Sequence, residues 1–320
     1  MEPVKQRLKL RVKTAGILIL ATLSFVIILD VVYYSAMTGS YGQLESNQVS
    51  QTVKQIHGAL QDQFNALNSK LTRWAQWNDT YNFMVNTNSS YVYIASNLLH
   101  NGNEMPPAMG AFGVNYMLFL NSTGSIVYGI GYDLVNLTIV HIPANFLNLV
   151  LNQAQMWNFR DLNSSFAGIV VIPQGPLLVV SRPVLTSEAT GPIHGALIFA
   201  RSIDKQFINE LSMTLNLPLV LTPYKTFQPR VMSSAVFISP STYIYPSNQT
   251  SITGYYLAKD FNGQPAFLIG TTLPRTIYDQ GLASLGFLDL AVAIACVIFV
   301  IITLVLVERT ILLRLQKLVS

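Results

Sequence analysis

The stretch TAGILILATLSFVIILDVVYYSA, residues 14–36, decides the architecture of this chain, because its only charged side chain is Asp30. A second stretch, LASLGFLDLAVAIACVIFVIITLVLV at residues 282–307, contains only Asp289. Each is long enough to cross about 30 Å of hydrocarbon as a helix, and a helix satisfies its own backbone hydrogen bonds in lipid. The sequence therefore predicts two transmembrane helices, with residues 37–281 between them.

Basic residues concentrate at the two ends of the chain. Residues 1–13 have a net charge of +4 and residues 308–320 of +2, whereas residues 37–281 contain 11 basic and 11 acidic side chains. Since basic flanks stay in the cytoplasm, we expect both termini to be cytoplasmic and the central region to be extracytoplasmic in a cell membrane. The positive charge thus reflects membrane topology, and we expect no nucleic-acid partner.

Residue types that carry catalysis or bind metals are scarce. The single cysteine, Cys296, lies in the second apolar stretch, which excludes disulfides from the outer region. The four histidines are scattered, and the chain has no H-E-x-x-H, no G-x-S-x-G and no phosphate-binding loop. We therefore expect a non-enzymatic protein with no catalytic residue, no metal and no cofactor.

The outer region opens with a polar segment, residues 37–72, whose apolar residues recur at spacings of three and four, as in an amphipathic helix. Further helices are predicted over Pro143–Met156 and residues 203–215, and a loop rich in Pro and Ser between Thr222 and Gly254. The predicted strands are Gly113–Leu120, Ser125–Ile130, Phe166–Ile172, Leu177–Pro183, Gly195–Arg201, Leu217–Thr222, Gly254–Lys259 and Gln264–Thr272.

This element order predicts an α+β fold with two lobes. The main lobe, about residues 43–215, is expected to be a PAS/Cache-like antiparallel sheet with a long N-terminal helix. A smaller membrane-proximal β lobe is expected at about residues 216–273, directly before the second transmembrane helix.

Several sequence blocks in this region belong together. They are WAQWNDTYNF at 74–83, SRPVL at 181–185, GALIFAR at 195–201, DFNGQP at 260–265 and PRTIYDQG at 274–281. Together they resemble the CHASE family of extracytoplasmic sensory domains, fourth type, over roughly residues 40–282. The resemblance implies a sensory domain held between two transmembrane helices and followed by outputs such as HAMP, histidine kinase or cyclase modules.

The segment after the second apolar stretch, ERTILLRLQKLVS at residues 308–320, resembles the start of a HAMP helix. No output module follows it in this sequence. We therefore expect a membrane-anchored sensor that binds an unknown small-molecule ligand, acts as a homodimer and signals through a partner in trans. The alternative is a surface structural or accessory membrane protein that uses the same fold for protein contacts.

Aromatic residues in the first block are candidates for a ligand site. Trp74, Trp77 and Tyr81 are spaced i, i+3 and i+7, which places them on one face of a helix. They could form an aromatic wall for a ligand, or they could dock the helix on the sheet. Asp79 lies off this stripe and could orient a polar ligand or take part in structural hydrogen bonds or ion pairs.

Two arginines, Arg182 and Arg201, each end a predicted strand. A guanidinium fork matches the two oxygens of a carboxylate, so these residues are candidates for binding a small anionic ligand. A structural ion pair, with Asp79 for example, is the alternative for both.

Arg275 and Tyr278 directly precede the second transmembrane stretch. They could anchor the chain at the membrane interface, and they could also pass a shift of the outer domain into the helix. The outer region also contains N-x-Ser/Thr triplets, which are candidates for N-glycosylation in a glycosylating host. The candidate asparagines are Asn88, Asn121, Asn136, Asn163 and Asn248.

Overall fold

The computed structural model describes residues 2–86, 93–98, 108–227, 236–239, 241–307 and 309. The chain divides into two units, which we call the terminal unit and the sheet unit. The terminal unit comprises Met1–Gln48, Asn248–Ser251 and Pro274–Ser320, and the sheet unit comprises Val49–Ser247 and Ile252–Leu273. One predicted glycosylation site, Asn88, lies outside the described residues.

The α-helices of the described residues are α1 (Glu2–Ala75), α2 (Asn78–Val85), α3 (Ala108–Phe112), α4 (Ala144–Asn152), α5 (Lys205–Leu215) and α6 (Thr276–Val307). Two of them, α1 and α6, contain windows that are long and apolar enough to cross a membrane and that are not buried in protein. Both predicted apolar stretches are therefore helical. Helix α6 begins just after Pro274, which ends the last strand.

Within the described residues, six strands form the first sheet. They are β1 (Tyr116–Leu120), β2 (Ile126–Asp133), β3 (Thr138–Val140), β4 (Phe166–Ile172), β5 (Gly175–Pro183) and β6 (Ala196–Ser202). Their order is β3-β2-β1-β6-β5-β4, and neighbouring strands pair antiparallel. Strands β1 and β2 form an antiparallel hairpin, and in its turn the Asn121 side chain accepts hydrogen bonds from the backbone N–H groups of Thr123 and Ser125.

A second sheet follows in the chain, with five strands among the described residues. They are β7 (Leu219–Pro223), β8 (Val236–Ser239), β9 (Thr242–Pro246), β10 (Ser251–Lys259) and β11 (Pro265–Pro274), in the order β7-β11-β10-β9-β8. The predicted loop between Thr222 and Gly254 is wrong in part, because β8 and β9 lie within it. Strand β9 pairs with β10 and buries Thr242 and Ile244, so sheet pairing outweighs the local Pro and Ser content.

Side-chain alternation along the first sheet explains where the core forms. In β1, Met117 and Phe119 face one core and Leu118 and Leu120 face the other, as the period of two in a strand requires. The first core includes Leu67 and Leu71 of α1 and Phe207 and Leu211 of α5, and the second includes Phe146 and Val150 of α4. The predicted α+β class with antiparallel sheets and a long N-terminal helix is confirmed.

The structure also corrects the prediction that Trp74, Trp77 and Tyr81 lie on one continuous helix. Helix α1 ends at Ala75, Trp77 is extended with φ −138° and ψ 131°, and α2 begins at Asn78. The cause is a contact with a distant segment. The Leu185 N–H donates to the Ala75 carbonyl at 2.9 Å, so this carbonyl is used outside the helix and the chain turns.

A substitution at Gly195, which directly precedes β6, can test how closely the backbone there approaches the β1–β2 hairpin. Its φ is +109°, and a Cβ at this position would lie 2.0 Å from the Leu120 carbonyl oxygen. We expect Gly195→Ala to lower the free energy of unfolding by at least about 3 kcal/mol, through both strain and steric overlap. The matched control is Gly263→Ala, which has φ +79° in open space and should lose only about 1–2 kcal/mol. Chemical denaturation of both variants measures the difference, and equal losses would contradict the close approach.

Candidate functional site

A cleft of about 410 Å³ opens in the sheet unit where β6 meets α5. It is lined by Lys70 of α1, by Gly110, Ala111, Phe112 and Gly113 at the end of α3, by Leu134 and Leu137 between β2 and β3, by Arg201 of β6, and by Gln206 and Glu210 of α5. Elements far apart in sequence thus supply its polar side chains, and the folded sheet brings them together.

The position of Arg201 follows from the local order of the chain. Arg201 lies near the end of β6, opposite Leu178 of β5. Helix α5 begins only four residues later, and its N-cap Asp204 accepts a hydrogen bond from the Phe207 N–H at 2.9 Å. This cap starts the helix directly after the strand, so that Glu210 returns to the side chain of Arg201.

Arg201 forms the densest set of contacts in the cleft. One guanidinium nitrogen, Nη2, pairs with Glu210 Oε2, and Nη1 donates to Gln63 Oε1 at 3.4 Å. The guanidinium lies 5.0 Å from the centre of the Phe207 ring, a cation–π contact. Its Nε is buried and has no hydrogen-bond partner among the described residues. The hydrogen-bonding capacity of this side chain is therefore only partly used within the protein.

Lys70 is the second cation of the cleft. Its Nζ donates to the Phe112 carbonyl oxygen at 2.8 Å. Burial lowers the pKa of Lys70 and the nearby charge of Arg201 lowers it further, whereas Glu210 acts in the opposite direction. The cleft thus holds two cations and one carboxylate, which gives it an excess of positive charge.

The predicted aromatic residues, Trp74, Trp77 and Tyr81, are half-buried and pack against the first core. The Trp74 ring contacts the rings of Trp77 and Phe112 at centroid distances of 5.7 and 5.3 Å, and the Trp77 ring lies 6.3 Å from that of Tyr93. Tyr81 packs edge-on against His194 at 4.7 Å. These contacts between protein side chains favour the role of docking α1 and α2 over that of a ligand wall.

The structure separates the charged candidates. Arg182 donates from Nε to the Asn68 side chain at 2.9 Å, whereas Arg201 pairs with Glu210. Asp79 is exposed, and within the described residues neither arginine forms an ion pair with it. Of the residues that the sequence nominated for ligand binding, only Arg201 lines the cleft.

The coupling candidates lie together in the terminal unit. Arg275 Nε pairs with Glu45 Oε2 at 2.9 Å, and its guanidinium lies 4.2 Å from the centre of the Tyr278 ring. Glu45 of α1 is only 3% exposed, so this pair is largely shielded from water. One helix turn further along α6, a Cβ at Gly281 would lie 2.4 Å from a ring atom of Tyr41, so the two helices pack closely here.

The described glycosylation candidates differ in exposure. The side chains of Asn136, Asn163 and Asn248 are exposed, whereas Asn121 is half-buried within the β1–β2 turn. The structure therefore makes the exposed three accessible to modification. Within the described residues, no group of three His, Cys, Asp or Glu side chains could hold a metal ion.

Sequence reasoning missed Lys70 and Glu210, and also Gln206 of the cleft and Gln63, which contacts Arg201. Lys70 lies between the buried residues Leu67 and Leu71 on α1, and a lysine beside a buried stripe is a weak signal of a special position. Glu210 lies directly before the buried Leu211 on α5 in the same way. Neither signal indicates which residue the side chain contacts.

The fold and the family profile define the class of the protein as an α+β sensory domain. Residues 59–222, just over half of the chain, match the family profile of the CHASE4 domain. The chain therefore belongs to the CHASE4 family, which confirms the resemblance drawn from the sequence blocks.

Individual relatives are similar at lower levels. The chain is 24% identical over 284 residues to the methanogenesis regulatory histidine kinase FilI of Methanothrix harundinacea, in an alignment that covers 89% of this chain and 31% of FilI. The chain thus spans about a third of the length of this curated relative. The periplasmic domain of Vibrio cholerae LuxQ is 15% identical, with a TM-score of 0.44 over 70% of this chain and 99% of that domain. A sensory box/GGDEF family protein domain from Vibrio parahaemolyticus is 15% identical, with a TM-score of 0.36 over 72% and 99%.

Tyr93, which packs against Trp74 and Trp77, should make the free energy of unfolding depend on pH. Its hydroxyl bonds to Thr80 Oγ1 at 2.9 Å, and burial raises its pKa well above the usual value of 10.0. Above pH 10 the unfolded chain loses this proton while the folded chain keeps it, so the free energy of unfolding should fall as pH rises. Denaturant titrations between pH 9 and 11 should show a shallower fall for Tyr93→Phe. The control Thr80→Val removes the same hydrogen bond but keeps the phenol, and it should retain the alkaline fall.

Proposed function

We propose that this chain is the ligand-binding part of a two-pass membrane receptor and that a small anionic molecule binds in the cleft between Lys70 and Arg201. The observation that carries the proposal is the pairing of a largely buried cation, Arg201, with a half-buried one, Lys70, in a cleft of about 410 Å³ within a CHASE4 domain. An arginine fork recognises carboxylate or phosphate oxygens in a bidentate manner, and a neighbouring lysine adds a point charge.

The proposed topology places residues 37–281 outside the membrane and both termini in the cytoplasm. The net charges of +4 and +2 on the two flanks support this orientation through the positive-inside rule. The spans proposed from the sequence, residues 14–36 and 282–307, fall within α1 and α6. A domain held at both ends in this way can act on two membrane helices at once.

Signal transfer is proposed to run through α1 and the Glu45–Arg275 pair. Lys70 in the cleft and Glu45 in the terminal unit belong to the same helix, α1. Arg275 directly precedes α6 and connects this helix to α1 through its ion pair. A ligand that prefers one arrangement of the outer domain would shift a pre-existing equilibrium, and the paired helices would carry that shift inward.

The receptor is proposed to act as a homodimer and to pass its signal to a cytoplasmic output module. The similarity to a histidine kinase over 89% of this chain supports an output of the phosphotransfer kind.

Ligand binding can be tested on the full chain in lipid nanodiscs. A panel running from acetate to citrate, together with inorganic phosphate, should contain members that raise Tm, because a ligand of the folded state alone stabilises it by about 2.7 kcal/mol at a concentration of 100 Kd. Arg201→Ala should abolish the shift and Arg201→Lys should weaken it. The control Arg182→Gln should leave it intact, because Arg182 bonds to Asn68 and not to the cleft. A panel without any shift would contradict the proposal.

The Glu45–Arg275 pair can be tested by a double-mutant cycle. Arg275→Met leaves a carboxylate that is only 3% exposed without its partner, which should cost about 3–5 kcal/mol. Adding Glu45→Gln should recover part of this loss, because the second change removes the unpaired buried charge. Unfolding of the single and double variants in detergent micelles gives the coupling energy. Additive losses would show that the two side chains do not support each other.

A further inference from the structure

Glu210 has an unusual position for a residue that lines a binding cleft. Its carboxylate forms an ion pair with the guanidinium of Arg201, which is the group in the cleft best suited to bind an anionic ligand. Gln206, one turn earlier on α5, donates from Nε2 to the other oxygen, Glu210 Oε1, at 3.3 Å. The guanidinium of Arg201 is therefore already paired with an anion of its own chain.

The two partners of this ion pair differ in exposure. The Arg201 side chain is 13% exposed, whereas that of Glu210 is 40% exposed. The arginine is held in the wall of the cleft by Gln63 and the Phe207 ring. The glutamate approaches from the solvent side of α5, and its side chain can return to water without moving the helix. An ion pair that is exposed on one side contributes little stability, so it can be exchanged.

Lys70 favours the binding of an external anion in the cleft in place of Glu210. Its Nζ bonds to the Phe112 carbonyl and forms no ion pair with another described residue. Burial and the charge of Arg201 disfavour its charged form. An anion that contacts both Lys70 and Arg201 would stabilise the charged form of Lys70 directly. Glu210 does so only from a distance, because it pairs with Arg201 and not with Lys70.

We propose that Glu210 is a resident counter-ion that the carboxylate of a small organic acid displaces when it binds between Arg201 and Lys70. This inference rests on the proposed function and names its ligand class. Leu134 and Leu137 line the same cleft and provide an apolar wall for the carbon chain of the acid. The displaced glutamate returns to solvent, and the charge of the ligand takes its place on the arginine.

The exchange determines which molecules bind. A neutral amide of the same shape has no negative charge to pair with Arg201. It would therefore leave the ion pair between Arg201 and Glu210 intact. A weakly interacting anion would not outcompete a carboxylate that is held at high local concentration by α5. Glu210 is thus a specificity residue that raises the threshold for binding, and its removal should increase affinity.

Glu210→Gln in the full chain in nanodiscs tests this inference by calorimetric titration. Succinate, its neutral diamide and inorganic phosphate are the probes. Removing the competing carboxylate should tighten succinate binding roughly three- to tenfold. The diamide should remain a poor ligand of both the original protein and the variant. Glu188→Gln is the matched control, because it removes one exposed negative charge at another place in the sheet unit. Its affinity for succinate should equal that of the original protein.

The outcomes separate this inference from the proposed function. Succinate binding that needs Arg201 but is unchanged or weakened in Glu210→Gln overturns the exchange and leaves the proposed function standing. A gain in affinity confined to inorganic phosphate overturns the assignment to organic acids. A gain in Glu188→Gln equal to that in Glu210→Gln reduces the effect to overall charge and also overturns the exchange. Glu210→Asp, whose shorter side chain retracts from Arg201, provides the same comparison if the glutamine variant fails to fold.

Discussion

The burial of one face of helix α1 against the sheets is the constraint on which the rest of the sheet unit depends. Ile56, Leu60, Leu67 and Leu71 of this face are at most 4% exposed and belong to one core with residues of both sheets. A helix of this length gains most of its stability from such packing and not from the propensity of its residues. Both sheets are thereby packed against a single element, and that element also contains the first apolar stretch.

The same packing creates the chemistry of the cleft. Lys70 is carried to the edge of the core because it lies between Leu67 and Leu71, and it is there that burial depresses its pKa. Arg201 reaches the same place from β6, which pairs with β1 and β5 near the centre of the first sheet. Two cations come close to each other only because the hydrophobic core on either side holds them there. The free energy gained by burying the apolar residues offsets the repulsion between them.

The sequence predicts those parts of the fold in which local pattern and final packing agree. Strand β4 was predicted with its observed ends, Phe166–Ile172, because a short run of β-branched residues is flanked by turn signals. Strands β8 and β9 were missed because the pairing of β9 with β10, and of β8 with β9, supplies what their local sequence lacks. The break between α1 and α2 was missed because the hydrogen bond from Leu185 joins residues that are distant in the chain, and periodicity does not register such a contact.

The candidate site was predictable to a smaller degree, and for a physical reason. Arg201 could be nominated from its place at the end of a strand, but its partner Glu210 lies on α5, and only the turn capped by Asp204 brings the two together. Periodicity distinguishes a buried face from an exposed one. Glu210 belongs to neither, because one side of its side chain meets Arg201 and the other meets water. A residue that must exchange between a protein partner and solvent has to lie at such a boundary, since full burial would fix its contact and full exposure would abolish it. The positions that matter most for ligand exchange are therefore those for which hydrophobic patterning gives the weakest signal.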